Sequence, residues 1–439
     1  MPGAGSSWGR WPRHRHRTIA LTNRYQRLVL DEPGTLLPYG NGRSYGDSCQ
    51  NDGGFLLTTR GLDRYVAFDV DNGVIECEAG MLLEDVIEFA LPRGWFLPVT
   101  PGTCFVTLGG AIANDVHGKN HHRLGTFGHH VLGFELLRSD GSERWCTPSE
   151  NADWFAATIG GLGLTGLIRR LRLQLRRVPG PFLRGQSLRF GNLSGFFELS
   201  RDSDADYEYT VSWLDCTAKG RQRGRGVFMR ANHAVAEGTT PGSGQWRVPF
   251  TSPLPLVNRL SLRLFNTLYY HRPAARRADA VWHYRPFFYP LDGVLEWNRI
   301  YGPRGFYQYQ CVIPPATAPE SLEEMLETIA VSGSGSFLGV LKMFGEQASP
   351  GLLSFARSGT TLALDFPNGG APTLQLLESL DAITRKAGGA VYPAKDARMS
   401  ATSFQQYFPR WKEFLRFIDP RFSSSFWRRV SQDPQGEAS

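Results

Sequence analysis

The chain contains little that would indicate a metal site, a disulfide framework or a membrane span. Its six cysteines include no Cys-x-x-Cys pair, which argues against zinc and against a disulfide scaffold. We expect buried thiols in a reducing compartment. No apolar run approaches the length that spans a bilayer, and no apolar segment follows the basic start as in a secretory signal. We therefore expect a protein that is cytoplasmic or peripheral to a membrane.

The common nucleotide and nucleic-acid motifs are also missing. The glycines form no GxGxxG fingerprint at the start of a βαβ unit, and no Walker lysine pattern occurs, so nucleoside-triphosphate hydrolysis is disfavoured. Nucleic acid is not an expected partner, because no helix-turn-helix, zinc-finger or RNA-binding signature occurs. The net charge of +7 is compatible with a solvated basic surface, an anionic substrate or a membrane face.

The length and composition predict a globular protein of more than one domain. A chain of 439 residues is too long for one ordinary hydrophobic core. Aromatic residues make up 12% of the chain and glycines number 49, which indicates tight turns and aromatic-walled cavities.

Hydrophobic periodicity predicts alternating short strands and helices over the first 180 residues. Residues 74–79 alternate as a strand, and residues 82–91 carry apolar side chains at helical spacing. Asp140-Gly141 indicates a hairpin. The segment Thr147-Pro148-Ser149-Glu150 has the pattern of a capping box that opens a helix through residues 153–155.

The pattern changes after residue 180 and predicts an antiparallel sheet covered by helices. Helices are expected at 321–329 and 374–387, with strands at 336–338 and 361–366. Residues 217–250 are polar and rich in turn residues, which predicts a mobile loop.

The second half also contains an apolar helix candidate and a polar C-terminal tail. The apolar segment Leu254–Tyr270 is a helix candidate that could lie in the core or face a membrane. The tail, Gln432–Ser439, is expected to fray.

Two glycine-rich segments carry the main functional signal. The first, PYGNGRSYGD, begins at Pro38, and the second, PGTCFVTLGGAIANDVHGKN, begins at Pro101. Glycines let backbone N–H groups approach an anion closely. Two such segments in one half of the chain predict a large diphosphate cofactor held between them.

The second segment ends in a histidine-rich run, HGKNHH, at residues 117–122. Carboxylate or cysteine residues at metal-ligand spacing do not accompany it, so no metal is expected. The alternatives are a polar patch beside a cofactor and substrate, or hydrogen-bonded loop histidines.

These residues resemble the vanillyl-alcohol-oxidase-type FAD oxidoreductases and, within them, the group of decaprenylphosphoryl-β-D-ribose 2-oxidases. The resemblance rests on the two glycine segments, on TIGGLGLTGLI (158–168), and on FYPLDGVLEWNRIYGP (288–303) and GGAVYPAKDARMS (388–400). It is weak around residues 217–280. It implies an α+β fold: a two-part FAD-binding domain of the PCMH type, with an inserted substrate domain built on an antiparallel sheet. The implied boundaries are 1–180 for FAD binding, 181–390 for substrate binding, and 391–439 for a C-terminal segment that returns to the FAD domain.

The resemblance also implies which residues line the cofactor. Pro38 to Ser48 would hold the FAD pyrophosphate. The named cofactor-binding candidates are Tyr39, Gly40, Asn41, Gly42, Arg43, Ser44, Tyr45, Gly46, Gly102, Thr107, Gly109, Gly110, His117, Gly118, Lys119, Asn120, Ile168 and Tyr392. Many members of the wider family carry a flavin-linked histidine where this chain has Arg43. Since arginine cannot form that bond but can face a phosphate, we expect non-covalent FAD.

Alcohol oxidation needs hydride transfer to flavin N5 and a group that accepts the hydroxyl proton. Lys395 matches the family's active-site lysine, and Lys119 and His117 are further catalytic candidates. An alternative for Lys395 is a surface ion pair with Asp396. The substrate candidates are Gln308, Gln310, Lys342, Trp213 and Tyr289. The two glutamines alternate with Tyr309, so both point to one face of a strand. Ala363 occupies the position of a cysteine in the relatives that covalent inhibitors target.

The resemblance implies oxidation of the 2-hydroxyl of a polyprenylphosphoryl-ribose to a ketone. A separate short-chain reductase would then complete epimerisation to the arabinose form, an arabinan precursor in cell wall biosynthesis. Peripheral membrane contact would suit a lipid-linked substrate. Two alternatives stay open: an alditol or aldonolactone oxidase with a soluble substrate, and a flavin-binding protein without turnover.

Overall fold

The computed structural model describes residues 5–28, 32–238, 240, 242, 245–253, 256–272 and 277–432. The prediction for the tail therefore lies almost wholly outside the described residues, and so do the first two residues of the helix predicted from Leu254. Strands and helices are numbered in the order in which they occur in the chain.

The N-terminal part contains two main sheets. A parallel three-stranded sheet has the order β1-β3-β2, with β1 at Arg17–Ala20, β2 at Leu36–Tyr39 and β3 at Phe55–Thr58. An antiparallel five-stranded sheet has the order β4-β5-β9-β7-β8. Its strands are β4 (Tyr65–Asp69), β5 (Val74–Glu78), β7 (Val131–Leu137), β8 (Glu143–Cys146) and β9 (Leu167–Gln174). The short strands β6 (Trp95–Phe96) and β10 (Arg176–Arg177) pair with each other.

An antiparallel sheet of eight strands dominates the second half. Its order is β15-β11-β13-β12-β18-β19-β17-β20. The strands are β11 (Phe182–Phe190), β12 (Tyr209–Leu214), β13 (Gly226–His233), β15 (Arg277–His283), β17 (Phe306–Ile313), β18 (Gly339–Phe344), β19 (Gly359–Pro367) and β20 (Ala390–Val391). A separate parallel pair joins β14 (Trp246–Arg247) to β16 (Val294–Leu295).

Twelve helices are assigned within the described residues. They are α1 (Leu83–Ala90), α2 (Leu108–Ala113), α3 (His121–Leu124), α4 (Ala152–Thr158), α5 (Leu193–Asp204), α6 (Arg259–His271), α7 (Tyr284–Phe288), α8 (Ala318–Ser332), α9 (Ala371–Lys386), α10 (Ala401–Tyr407), α11 (Trp411–Phe414) and α12 (Ser425–Val430). The helices predicted at 82–91, 321–329 and 374–387 correspond to α1, α8 and α9, which confirms them. Helix α6 overlaps the candidate at 254–270.

The side chains of the eight-stranded sheet separate into two faces because strand residues alternate. Leu362, Leu364 and Tyr309 join helices α8 and α9 in the largest hydrophobic core. The alternate residues of the same strands, among them Gln308 and Ala363, point to the opposite face and line a cavity. The mixed helix and sheet architecture with antiparallel sheets agrees with the predicted α+β class.

Three local predictions were wrong. Thr147 does not cap a helix; its Oγ1 accepts the N–H of Glu150 at 2.8 Å in a turn. Asn151 has a positive φ of 50°, so helix α4 begins only after it, at Ala152. The strand predicted at 336–338 begins instead at Gly339.

The third error concerns residues 217–250, which are not one loop. They include β13, whose Val227 and Phe228 are buried between β11 and β12. The apolar part of this strand is short, Val227 to Met229, and it follows an arginine-rich run, so the segment as a whole is polar.

The C-terminal segment packs against the first glycine loop. The N–H of Leu36 donates to Arg421 O at 2.7 Å, and the N–H of Ser423 donates to Leu36 O at 2.9 Å. Arg429 in α12 forms ion pairs with Asp47 at 2.6 Å and Asp396 at 3.0 Å. On this basis we propose the three-part division at 1–180, 181–390 and 391–439.

Candidate active site

A cavity of ≈ 980 Å³ lies between the glycine-rich loops of the N-terminal half and the open face of the eight-stranded sheet. The loops supply backbone and small side chains. The sheet supplies amides, a threonine and a lysine. The cavity therefore brings together segments that lie more than three hundred residues apart in the chain, such as those of Gly40 and Lys395.

The two glycine-rich segments touch each other at the cavity wall. A Cβ on Gly40 would lie 2.3 Å from Thr107 Oγ1, so only glycine fits there. Asn41 Nδ2 donates to Phe105 O at 2.8 Å. Gly42 has a φ of 61°, a left-handed conformation that favours glycine. Gly102 is different, because a Cβ there would meet no atom within 4 Å and would project into open space.

Strand register aligns the polar side chains of the sheet wall in adjacent pairs. Gln308 lies opposite Asp365, and Gln310 lies opposite Ala363. Lys342 lies opposite Thr361 on the other side of β19. Residues directly opposite in antiparallel strands have neighbouring side chains. The wall is consequently a compact polar patch on an otherwise apolar sheet.

Two half-buried lysines on the wall of this cavity have unusually low pKa values. Burial lowers the pKa of Lys119 to about 7 and that of Lys342 to about 8. Lys119 Nζ donates to Phe287 O and lies 4.7 Å from the centroid of the Phe287 ring. An ammonium that is partly withdrawn from water and has no counter-ion is destabilised, so an anionic ligand would favour the charged form of both side chains.

Lys395 forms the third cationic position together with a buried carboxylate. Its Nζ lies 3.8 Å from the centroid of the Tyr45 ring. Burial lowers the pKa of Lys395, and the nearby charge of Asp365 partly offsets this effect. Burial raises the pKa of Asp365, whose Oδ1 accepts the Gln308 amide at 2.6 Å. A lysine and a carboxyl group with pKa values moved toward each other can exchange a proton at small cost.

His117 is held between the loops and the sheet. Its Nε2 lies 2.9 Å from Gln310 Nε2, and its ring contacts Phe344 and Tyr392 at centroid distances of 4.8 and 5.3 Å. Burial lowers the pKa of His117 well below its ordinary value, with Lys342 adding to the effect. The imidazole is therefore neutral at pH 7.

Most of the residues predicted from the sequence lie on the cavity wall. Those that line it are Gly40, Asn41, Gly42, Arg43, Ser44, Tyr45, Gly102, Thr107, Gly109, Gly110, His117, Gly118, Lys119, Ile168, Tyr392, Gln308, Gln310, Lys342, Trp213 and Lys395. The alternative for Lys395, a surface ion pair with Asp396, does not match its position on the cavity wall, and Asp396 pairs with Arg429 at 3.0 Å.

Four predicted residues lie behind the wall. The hydroxyl of Tyr39 donates to Ser6 O at 2.8 Å, and Asn120 Nδ2 donates to Pro98 O at 2.8 Å. Tyr289 shares a hydrogen bond of 2.6 Å with Thr100, which does line the cavity. A Cβ on Gly46 would meet Asp396 O at 1.7 Å, so Gly46 lets the C-terminal segment approach. These side chains support the wall rather than form it.

Two functional candidates escaped the sequence analysis. Asp365 and Thr361 alternate along β19, and Thr361 Oγ1 accepts from Gln310 Nε2 at 3.2 Å. The alternation was visible in TLALD. The local sequence does not show which strand pairs with this segment. A function for a single aspartate in a strand cannot be predicted until the neighbouring side chains are known.

The cavity wall suits a diphosphate cofactor. Ser48 Oγ and His117 Nδ1 line or face the cavity, are buried, and have no hydrogen-bond partner among the residues described. Buried polar groups are normally paired, so both indicate a bound polar molecule. The open space at Gly102 and the cation of Arg43, which stacks 4.3 Å from the Trp8 ring, fit the same molecule. Across the described ranges, no group of three or more His, Cys, Asp or Glu side chains is arranged to hold a metal ion.

Comparison with known proteins identifies the cofactor and the family. Residues 27–147, which contain both glycine segments, match the family described as FAD binding domain. The chain is 36% identical over 408 residues to decaprenylphosphoryl-beta-D-ribose oxidase of Mycolicibacterium smegmatis, covering 89% of this chain and 88% of that protein. This chain belongs to the decaprenylphosphoryl-β-D-ribose oxidase family. The predicted resemblance is thereby confirmed.

Two further relatives extend the comparison. An uncharacterized protein in the mprA 5' region of Streptomyces coelicolor is 32% identical over 370 residues, 79% of this chain and 99% of that protein. An uncharacterized oxidoreductase of the fasciation locus of Rhodococcoides fascians is 26% identical over 211 residues, 48% of each chain. As a member of the ribose oxidase family, the protein is an FAD-dependent oxidoreductase, as predicted. In the part of the chain that the structure describes, no helix is both long and apolar enough to cross a membrane.

Proposed function

We propose that this oxidoreductase converts the 2-hydroxyl of a polyprenylphosphoryl-ribose to a ketone. The observation that carries the proposal is the wall opposite the FAD loops. There, Gln308, Gln310 and Lys342 form a polar patch on the sheet of a chain that is 36% identical to a ribose-lipid oxidase. The amides suit sugar hydroxyls, and Lys342 suits a phosphate.

Within this proposal, the loops from Pro38 to Ser48 and from Gly102 to Gly110 hold the FAD, with Arg43 facing its pyrophosphate. Bound FAD would accept a hydride from the alcohol carbon. Since Arg43 replaces the histidine that links flavin covalently in other oxidoreductases, the FAD is held without a covalent bond. Acid precipitation should leave the flavin in the supernatant.

Lys395 is the proposed acceptor of the hydroxyl proton. Its lowered pKa makes the neutral amine accessible near pH 7, and protonation produces an ammonium next to Asp365. The positive charge then appears as the cofactor gains negative charge, so one proton transfer serves base catalysis and electrostatic stabilisation. His117 and Lys119 are proposed to hold the sugar hydroxyl in place.

Anaerobic mixing tests the substrate. We expect a prenylphosphoryl-ribose to bleach the flavin absorbance near 450 nm, and alditols and aldonolactones to leave it unchanged. Bleaching by a soluble alditol, with none by the ribose lipid, would identify a soluble-substrate oxidase instead. If no alcohol bleaches the flavin, the oxidase proposal is wrong. The product would be consumed by a separate reductase, which we propose to be of the short-chain type.

A further inference from the structure

Helix α6 is attached to the protein by one narrow side. Leu262 packs in a cluster with Val257, Trp297 and neighbouring aromatics. Asn266 Nδ2 donates to Asp215 Oδ1 at 2.9 Å. Asn258 caps the helix, since its Oδ1 accepts the N–H groups of Leu260 and Ser261, each at 3.1 Å. The helix is therefore well formed and fixed in orientation.

The opposite side of α6 is apolar and exposed. Leu260, Leu264 and Leu268 are 78%, 61% and 63% exposed. Their spacing of four residues places them in one stripe along the helix. The segment that leads into α6 continues this character, with Trp246, Phe250 and Leu256 exposed at 81%, 67% and 58%. We call these six residues the apolar face.

Isolated exposed apolar residues are common, whereas a contiguous set marks an interaction site. The preceding segment runs beside residues 295–300: the N–H of Val248 donates to Leu295 O, and the N–H of Leu256 donates to Ile300 O. Val248 and Leu256 are thus both held by backbone hydrogen bonds to residues 295–300.

The stretch of sequence that contains the apolar face carries charged side chains of one sign. Residues 238–278 contain six arginines and no aspartate or glutamate. Arg259 and Arg263 are exposed on α6 and lie one residue before Leu260 and Leu264, so they flank the leucine stripe. Arg247 is exposed beside Trp246. An apolar helix face bordered by arginines is typical of helices that lie in the interface of an anionic bilayer.

The apolar face adjoins the mouth of the active-site cavity. Phe265 and Tyr269, on the inner edge of α6, line the cavity, as do Arg247 and Arg272. The Tyr269 ring packs against Trp213 at 4.6 Å, and the Arg272 guanidinium lies 3.5 Å from the Tyr269 centroid. One side of α6 therefore faces the substrate space, while the adjacent side faces outward.

We propose that the apolar face docks on the surface of an anionic membrane, so that the cavity opens toward the lipid phase. The assignment of this docking surface is based on the apolar face and on the arginines that flank it. Its use, delivery of a prenyl chain directly from the bilayer, rests on the proposed function. The leucines and aromatics would enter the boundary of the acyl chains, and the arginines would contact lipid phosphates.

Vesicle sedimentation of the FAD-loaded full chain tests the proposal. We expect binding to mixed phosphatidylglycerol–phosphatidylcholine vesicles and much weaker binding to pure phosphatidylcholine. Leu260→Gln, Leu264→Gln and Leu268→Gln combined should lower the partition coefficient at least about 100-fold. Arg259→Gln with Arg263→Gln should lower it about 5-fold for each arginine. A matched control, Leu374→Gln with Leu415→Gln, changes exposed apolar residues on helix α9 and in the C-terminal segment and should bind as the wild type does.

The readout separates docking from catalysis. Flavin content and melting temperature show that each variant is folded. Flavin bleaching by a water-soluble, short-chain ribose phosphate should be the same in the leucine variant and the wild type. The docking proposal is overturned if the wild type does not bind anionic vesicles, or if the leucine variant binds them as tightly as the wild type does. It is also overturned if the leucines instead control self-association in solution. The vesicle-binding and self-association results do not depend on whether the ribose lipid is a substrate.

Discussion

Lys395 lies between the first glycine-rich loop, which is proposed to hold the FAD, and the sheet, which is proposed to hold the substrate. It follows Tyr392 by three residues, contacts the Tyr45 ring of the first glycine loop, and interacts electrostatically with Asp365 of the sheet. Its removal should therefore affect the reaction more than the binding of FAD.

We expect Lys395→Ala to keep yellow FAD and to lose flavin reduction by substrate at least about 100-fold. Stopped-flow absorbance under anaerobic conditions measures the rate, and the flavin-to-protein ratio measures retention. Lys386→Ala, an exposed lysine paired only loosely with Glu324 at 3.8 Å, is the control. Reduction by Lys395→Ala at the wild-type rate would remove this lysine from the mechanism.

Asp365 should set the pH at which Lys395 acts. The carboxylate raises the lysine pKa, while burial lowers it. If the neutral amine is the base, the reduction rate rises with pH until Lys395 is deprotonated. Asp365→Asn removes the negative charge, so the lysine loses its proton more readily and the rise should move to lower pH by about one unit.

The limiting rate of flavin reduction as a function of pH measures this shift. Asp381→Asn is a useful comparison, because Asp381 is also a buried aspartate. Its partner is Arg398, at 2.7 Å, and not Lys395. A profile that stays in place in Asp365→Asn, or that moves to higher pH, would exclude the proposed pairing.

At the scale of elements, the register of the strands β17, β19 and β18 brings together the polar side chains of the proposed substrate wall. The alternation of Gln308 and Gln310 could be predicted from the sequence, because it is a local property of one strand. Their proximity to Asp365, Thr361 and Lys342 could not, since the register between strands depends on contacts that are distant in sequence. Lys342 was predicted only through the resemblance, and Asp365 was not predicted.

Lys342 should give this wall an affinity for phosphorylated ligands that depends on pH. Its pKa, lowered to about 8 by burial, means that the ammonium dominates below this pH and the neutral amine above it. A phosphorylated ligand prefers the ammonium, so affinity should fall as pH rises through about 8. Lys342→Met should weaken binding at least about tenfold at pH 7 and abolish this dependence.

Flavin perturbation titrations with a prenylphosphoryl-ribose analogue and with its phosphate-free counterpart provide the measurement. The phosphate-free ligand should bind the two proteins alike and show no fall through pH 8. Equal loss of both ligands in Lys342→Met would mean that the lysine supports the wall instead of the phosphate.

At the scale of the whole molecule, the N-terminal loops, the large sheet and the C-terminal segment meet around one cavity. The sequence predicted that the two glycine segments would come together, because both are suited to the same diphosphate. It failed for residues 217–250, where composition hid the central strand β13. The contact between the C-terminal segment and the first loop depends on single residues, Gly46 and Arg429, whose partners Asp396 and Asp47 lie hundreds of positions away.

Arg429 should therefore couple the stability of the C-terminal segment to the retention of FAD. Its guanidinium joins Asp47, next to the first glycine loop, to Asp396, next to Lys395. Asp47 and Asp396 are buried, and removal of one member of a buried ion pair typically costs about 3 kcal/mol because a charge is left without a partner. Arg429→Met should lower the free energy of unfolding by about this amount and accelerate FAD release.

Chemical denaturation and the rate of flavin loss on dilution measure the two effects. Arg410→Met is the matched control, because Arg410 pairs with Glu413 at 2.9 Å on the surface, where such pairs contribute about 0.5 kcal/mol. If both variants lose equal stability, the pair at Asp47 behaves as a surface pair. If Arg429→Met is destabilised yet releases FAD at the wild-type rate, the C-terminal segment stabilises the fold without closing the cofactor loop. Faster release together with lower stability would establish that α12 holds this loop against the cavity.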